Sequence, residues 1–369
     1  MNQEFEILLV APMGLEAELA DEAREQGFAA PQVITGGVLI QGSWRDIWRA
    51  NLVLRGCSRV LVRIGSFRVG HLAQLDKLAH AFPWQSFLRA GSPVSVEATC
   101  KKSKIYHSGA AAERISKALQ DVVGAKIDDN AALAIKVRIE RALCTISIDT
   151  SGEMLHKRGH KEAVGKAPMR ETLAASILRR CGYKGQETVV DPMCGSGTFV
   201  IEAAEMALGL QPGRNRNFAF EYLPSWNEAE WTKLQTHMPL GASEMCFYGS
   251  DRDAGAITAS KANSTRAGVS AVTHFECKPI TALRAPPGPP GLVICNPPYG
   301  TRIGDKKPLF DLYASLGKTL QQNFKSWRVG LVTPDSSLAK ATGLAFAPPG
   351  AAILHGGLRV YVFQSKIEE

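Results

Sequence analysis

The chain has 369 residues and a mass of 39.8 kDa, enough for two or three domains at roughly 100–200 residues each. Hydrophobic residues make up 45% and charged residues 21%, which excludes a largely disordered chain, and no apolar run approaches the roughly 18 residues of a membrane span. The net charge of +8 is uneven: residues 1–44 carry −6, residues 45–104 carry +8 and residues 105–369 carry +6. A basic stretch beside an acidic one is the footprint of a phosphate-binding surface, although a solvated basic face without a partner would look the same. The eight cysteines form no CxxC pair and no finger-like Cys/His pattern. Zinc and a disulfide framework are therefore poor readings, and a reduced, cytoplasmic compartment is expected. Ile7 to Leu15 follows Glu4 and Glu6 rather than a basic segment, so no secretory leader is expected there.

In chain order, Phe5–Ala11 predicts a strand and Leu15–Gln26 an exposed helix. Gly36 and Gly37 mark a turn before the strand Val38–Gln41, and Ser43 caps a helix whose Trp44 and Trp48, one turn apart, read as core. In Ser58–Val69, Val60, Val62 and Ile64 alternate with Arg59, Leu61 and Arg63, which predicts a half-buried strand with arginines on its open face. Strands at Val94–Thr99 and Ala142–Asp149, with a helix at Ser108–Val123 between them, complete a small α+β region. Residues 151–170 read as a connector. His156 and His160 have ligand-like spacing there, but no third ligand accompanies them, so RNA contact or solvent exposure is expected rather than metal.

From Glu171 onward β and α elements alternate. Helices are predicted at Glu171–Cys181, Phe199–Leu208, Ala254–Ala267 and Leu309–Asn323. Strands are predicted at Glu187–Asp191, Met245–Asp251, Ala271–Glu276, Leu292–Asn296 and Arg328–Thr333, with a final hairpin at Ala351–Leu354 and Arg359–Gln364. This order predicts a parallel, doubly wound α/β sheet with ligands at the carboxyl ends of its strands. The segment APPGPPG at 285–291 is a stiff surface loop.

Three strand ends carry the chemistry. In VVDPMCGSGTFV (189–200) an apolar strand ends in Asp191, and Gly195 and Gly197 flank Ser196 before a helix starts at once. Such a turn lets the backbone approach a ligand closely, yet no Lys follows to make a Walker loop and the third glycine of a dinucleotide fingerprint is absent. In FYGSDRDAGAITA (247–259) Asp251 ends a strand where a carboxylate can accept ribose hydroxyls, whereas Asp253 reads as a helix cap. In LVICNPPYG (292–300) two prolines hold Asn296 still at the rim of the sheet. An aromatic amine is a weak nucleophile because its lone pair is delocalised. Acceptors on Asn296 and a Pro carbonyl would take both N–H groups, favour a pyramidal nitrogen and aim its lone pair at an electrophilic methyl. Tyr299 offers a ring for a flipped base.

These motifs occur in the order seen in class I S-adenosylmethionine-dependent methyltransferases that modify amino groups. With GLEAELADE, TGGV, HKRGHKEA and APMRETLAASIL, nearly the whole chain resembles the THUMP-containing 23S ribosomal RNA guanine-N2 methyltransferases of the RlmL type, in a form with one catalytic domain. The resemblance implies a ferredoxin-like domain at 1–65, a THUMP RNA-binding domain at 66–155 and a Rossmann-like methyltransferase domain at 156–369. It implies that Asp191, Met193, Gly195, Ser196, Gly197 and Thr198 surround the methionine part of S-adenosylmethionine, that Asp251 and Arg252 lie at its ribose, and that Asn296, Pro297, Pro298 and Tyr299 hold the target amine and base. Relatives often carry an Asp after the third strand. Here Glu276, Cys277, Lys278 and Pro279 stand instead, which leaves adenine recognition to the backbone or another side chain.

Arg59, Arg63, Arg68, Lys101, Lys102, Lys104 and Arg158 become the candidate RNA-phosphate contacts. The expected partner is 23S ribosomal RNA, with transfer RNA as the alternative, and a monomer is the default state. A DNA adenine methyltransferase would share the NPPY chemistry, and a non-catalytic RNA-binding assembly factor would keep the fold without the reaction. The basic first half argues against the former, and intact Asn296 and Asp191 argue against the latter.

Overall fold

The computed structural model describes residues 3–162, 169–235, 245–300 and 307–369. Part of the predicted connector, residues 163–168, lies outside them. The chain divides into two compact units. One comprises Met1–Ala11, Ala20–Leu155 and Arg216–His237; the other comprises Pro12–Leu19, His156–Asn215 and Met238–Glu369.

The first unit opens with β1 (Phe5–Val10), the part of α1 (Glu16–Glu25) from Ala20 onward, β2 (Gln32–Ile34), β3 (Gly37–Gly42), α2 (Trp44–Val53) and β4 (Arg59–Arg68). It continues through α3 (Leu72–His80), β5 (Pro93–Lys101), α4 (Ser108–Val123), β6 (Lys126–Ile127), β7 (Ala134–Glu140) and β8 (Leu143–Asp149). One eight-stranded sheet runs through all of these strands in the order β2-β3-β1-β4-β8-β7-β5-β6. Its first four strands with α1 and α2 make a βαββαβ ferredoxin-like unit. Strand β4 holds its predicted alternation at Val60 and Val62, both buried, with Arg59 and Arg63 half-buried, but Ile64 is only half-buried where the pairing with β8 shifts register between Arg63 and Gly65. It also bridges the two halves of the sheet by pairing with both β1 and β8. The expected domain boundary at residue 65 falls inside it.

Trp48 is core, as its spacing predicts. It meets Phe220 at 6.1 Å and Trp226 at 5.5 Å, and Phe218, Phe220 and Trp231 pack around the same centre. Residues 216–237 thus return to the first unit, although they stand inside the second half of the sequence. That return carries α7 (Glu228–Gln235).

The second unit contains α5 (Glu171–Arg180), β9 (Val189–Asp191), α6 (Thr198–Ala207), β10 (Phe247–Asp251), α8 (Ala254–Ala267) and β11 (Thr273–Cys277). Strand β12 (Leu292–Cys295), α9 (Lys307–Asn323), β13 (Arg328–Thr333), α10 (Ser336–Ala341), β14 (Ile353–His355) and β15 (Leu358–Lys366) follow. The sheet order is β11-β10-β9-β12-β13-β15-β14, parallel from β11 to β13 and antiparallel at β15. Separate apolar clusters cover its two faces, one built with α5 and α6, the other with α9 and α10. This is the doubly wound sheet that the alternating pattern predicts. Its strand order reverses between β9 and β12, and ligands of such sheets bind in the crevice at that point. Strand β12 is an unbroken apolar run, Leu292–Cys295, with every residue buried, as a central parallel strand requires.

Candidate active site

The ends of β9, β10 and β12 lie side by side. Val190 pairs with Val293 on one side and with Tyr248 on the other, so the last residues of the three strands reach one edge. Asp191 closes β9 and is 2% exposed. Its Oδ1 accepts the Met193 N–H at 3.0 Å, and burial, reinforced by Asp251, pushes its carboxyl up to about 8.

The loop after Asp191 is held by its neighbours. Gly195 and Gly197 have φ of +52° and +83°, values that L side chains rarely adopt. A Cβ on Gly195 would meet no heavy atom within 4 Å, so the backbone here faces open space. The Gly195 N–H donates to Asp251 Oδ2 at 3.0 Å, which ties the first strand end to the second. Asp251 Oδ1 accepts the Asp253 N–H at 3.0 Å. Each carboxylate oxygen keeps a second lone pair for a hydroxyl donor. Asp253 itself caps α8 by accepting the Gly255 N–H at 2.8 Å, as expected, while Arg252 is exposed.

Three residues that the sequence reading passed over complete the loop. From α8, the Ser260 hydroxyl donates to the Gly195 carbonyl at 2.7 Å and the Asn263 amide donates to the Ser196 carbonyl at 3.1 Å. Both side chains are fully buried. Lys161, from the predicted connector, donates to Thr198 Oγ1 at 2.9 Å and to the Met169 carbonyl at 2.8 Å, and lies 3.3 Å from Glu171. It thereby fastens the first residue of α6 to the first residue of α5. Polar residues on an otherwise small-residue helix, as in α8, were the available signal.

At the end of β12, Asn296 is half-buried and Pro297 is buried, while Pro298 is exposed. The Asn296 Oδ1 is buried and has no hydrogen-bond partner among the described residues. An acceptor left so costs about 1–3 kcal/mol, which a ligand N–H would recover. Tyr299 packs against both apolar clusters and stays half-buried. Burial raises the thiols of Cys194 and Cys295, with Asp191 adding to both, so neither is a thiolate nucleophile at neutral pH. After β11, Lys278 pairs with Glu276 at 2.7 Å and its N–H donates to the Asp251 carbonyl at 3.0 Å, so this segment too is tied to the end of β10.

The candidate RNA contacts divide. Arg68, Lys101, Lys102 and Lys104 are exposed in the first unit. Arg59 is committed to the fully buried Asp149 and to the Gly152 carbonyl at 2.8 Å, and Arg63 is paired with Glu6. Arg158 is a clear correction: it is 3% exposed and its Nε lies 3.2 Å from Glu202, itself 0% exposed. A buried carboxylate on α6 needs a buried cation, so this arginine serves the fold and not the RNA surface. His156 and His160 both lose basicity, chiefly through burial, His156 to about 4. No cluster of metal-ligating residues occurs among the described residues.

The sheet has seven strands in this order, acidic residues end its first two strands, and an amide oxygen with no hydrogen-bond partner among the described residues ends its fourth. That combination defines a class I methyltransferase domain. The chain belongs to the RMKL-like methyltransferase domain family, whose model matches residues 158–347. The model of the RlmL ferredoxin-like domain matches residues 6–61, over β1 to the start of β4. The chain is similar to the ribosomal RNA large subunit methyltransferase K/L of Syntrophotalea carbinolica, with 34% identity over 371 residues. The match covers 93% of this chain and 51% of that protein, so the chain spans about half the length of this curated relative. It is also similar to the crystal structure of SMU.472 complexed with SAH, with a TM-score of 0.90 and 27% identity over 100% of both chains. A possible methylase from Clostridium difficile 630 gives a TM-score of 0.90 and 29% identity over 100% of this chain and 99% of that one.

Proposed function

We propose that this chain methylates the exocyclic 2-amino group of a guanine in 23S ribosomal RNA, with S-adenosylmethionine as the methyl donor. The observation that carries the reading is the buried Asn296 Oδ1, without a hydrogen-bond partner among the described residues, at the point where the strand order reverses. The open space before Gly195 and the carboxylates of Asp191 and Asp251 fit an adenosyl-methionine ligand. Met193, Ser196, Thr198 and Arg252 lie on the same two strand ends. S-adenosylmethionine supplies an electrophilic methyl group on a sulfonium.

The chain's own residues do the rest by positioning. Asn296 Oδ1 and the Pro297 carbonyl accept the two amine N–H groups, which favours a pyramidal nitrogen and frees its lone pair. Pro297 and Pro298 hold those acceptors rigid, and Tyr299 stacks the base flipped out of its helix. A C–N bond forms as the C–S bond breaks, S-adenosylhomocysteine leaves, and the amine's extra proton passes to solvent. Residues 1–65 serve as the ferredoxin-like part and 66–155 as the THUMP RNA-binding part of a monomer that works in the cytoplasm. The relative's ribosomal RNA substrate supports this choice of RNA.

The test is transfer of labelled methyl to ribosomal RNA and to transfer RNA, each lacking its own modifications, followed by nucleoside analysis. Label in ribosomal RNA as N2-methylguanosine is the expected result. Label confined to transfer RNA would keep the chemistry and replace the substrate, and N6-methyladenosine would replace the base. Asn296→Ala should lower the transfer rate by roughly 100-fold, in the range seen for loss of one preorganised polar contact, with RNA binding retained. Full activity in that variant would remove the role given to Asn296.

A further inference from the structure

The first unit gathers positive charge at one end of its sheet. Strand β4 ends at Arg68, which pairs with Leu143 at the start of β8. The turn before β8 holds Arg141, whose N–H donates to the Lys101 carbonyl at 3.0 Å, and Lys101 ends β5. Lys101, Lys102 and Lys104 are all exposed. Glu140, which ends β7 just before this turn, is paired with Arg138 at 2.8 Å. Two residues beyond Lys104 stands Tyr106, 77% exposed, the most exposed of the large hydrophobic side chains described. Its ring lies 5.1 Å from that of His107 at 41°. The helix that follows, α4, has no acidic residue in its first turn, so nothing there opposes a polyanion.

An aromatic ring left in water on a lysine-rich loop contributes nothing to the core. It matches the pairing of stacking ring and basic groove by which single-stranded nucleic acid is held. We propose that Tyr106, with His107 against it, is a stacking platform for an unpaired base of the RNA substrate, and that Lys101, Lys102 and Lys104 grip the adjoining phosphates. This rests on the reading of the chain as an RNA methyltransferase and adds to it a preference for unpaired RNA. Paired RNA offers phosphates to the lysines but no free base face to the ring.

Binding of a fluorescein-labelled single strand of about 12 nucleotides, and of a duplex of the same length, is measured by anisotropy at several salt concentrations with the full chain. Tyr106→Ala should weaken the single strand about tenfold, leave the duplex unchanged and keep the slope of log K against log salt. Tyr106→Phe should bind as the wild type does, because the ring is kept. Lys102→Ala should lower the slope by about 0.7 for the single strand. If the wild type binds and Tyr106→Ala holds the single strand equally well, or loses single strand and duplex alike, the platform is refuted while the RNA reading stands. If the wild type binds neither RNA, both fall.

Discussion

Asp191 shows how burial sets the chemistry of one group. Its carboxyl sits in the apolar end of β9 and is pushed up to about 8. The same group in an unfolded chain titrates near 3.9. The folded form therefore binds a proton that the unfolded form has lost between those values. The stability this group contributes is full below about pH 4 and falls as pH rises towards 8. Asp191→Asn should remove that fall. Urea unfolding of the unliganded protein at pH 5 and pH 8 is the check, and an equal decline in both proteins would refute the assignment. A cationic ligand at Asp191 favours the carboxylate, so binding of S-adenosylmethionine at pH 7 should release a proton. Calorimetry in buffers of different ionisation enthalpy would detect it. Asp191 and Asn296 were both legible as strand-end residues. Their burial, and the lack of a partner for Asn296 Oδ1 among the described residues, were not, because those depend on which strands flank β9 and β12.

Helix α6 does two jobs that its sequence hardly separates. Its N-terminus receives the loop of Gly195 to Gly197, and its body buries Glu202 and Glu205 completely. Glu205 is paired with Arg214 at 2.5 Å and Glu202 with Arg158. Arg158 lies 44 residues from Glu202 in sequence, so charge alone placed Arg158 at the surface. Removing one member of a buried pair leaves an uncompensated charge and costs about 3–5 kcal/mol. Arg158→Met should therefore lower stability by about that amount in denaturant unfolding, with the salt slope of RNA binding unaltered. A stable variant with a reduced slope would return Arg158 to the RNA surface. Strand β7 was not predicted, although Ile135, Val137 and Ile139 alternate with Lys136, Arg138 and Glu140. Its neighbours follow from no such alternation: it pairs parallel with β5 and antiparallel with β8.

Across the whole molecule, the folding of each unit sorts the basic residues into different uses. Arg59 and Arg63 neutralise Asp149 and Glu6 within the first sheet, while Arg68, Lys101, Lys102 and Lys104 remain exposed near its end. Only charges free to meet phosphate release counterions when RNA binds. Replacing Lys101, Lys102 and Lys104 together by Ala should lower the slope of log K against log salt by about 2 for single-stranded RNA. Replacing Arg63 alone should leave the slope unchanged. Binding titrations between 50 and 200 mM salt would read both.

By itself the sequence determined the order of the strands and of α5, α6, α8 and α9 in the second half, though not α7 or α10, together with the acidic and Asn-Pro-Pro-Tyr strand ends and the basic character of the first half. Each follows from local periodicity and residue chemistry, which need no distant partner. Tertiary structure alone decided that residues 216–237 return to the first unit, that Ser260, Asn263 and Lys161 hold the glycine loop, and which arginines face solvent. Those are outcomes of packing between residues far apart in the chain. A buried carboxylate recruits whichever cation the fold brings to it, and no local pattern records that choice.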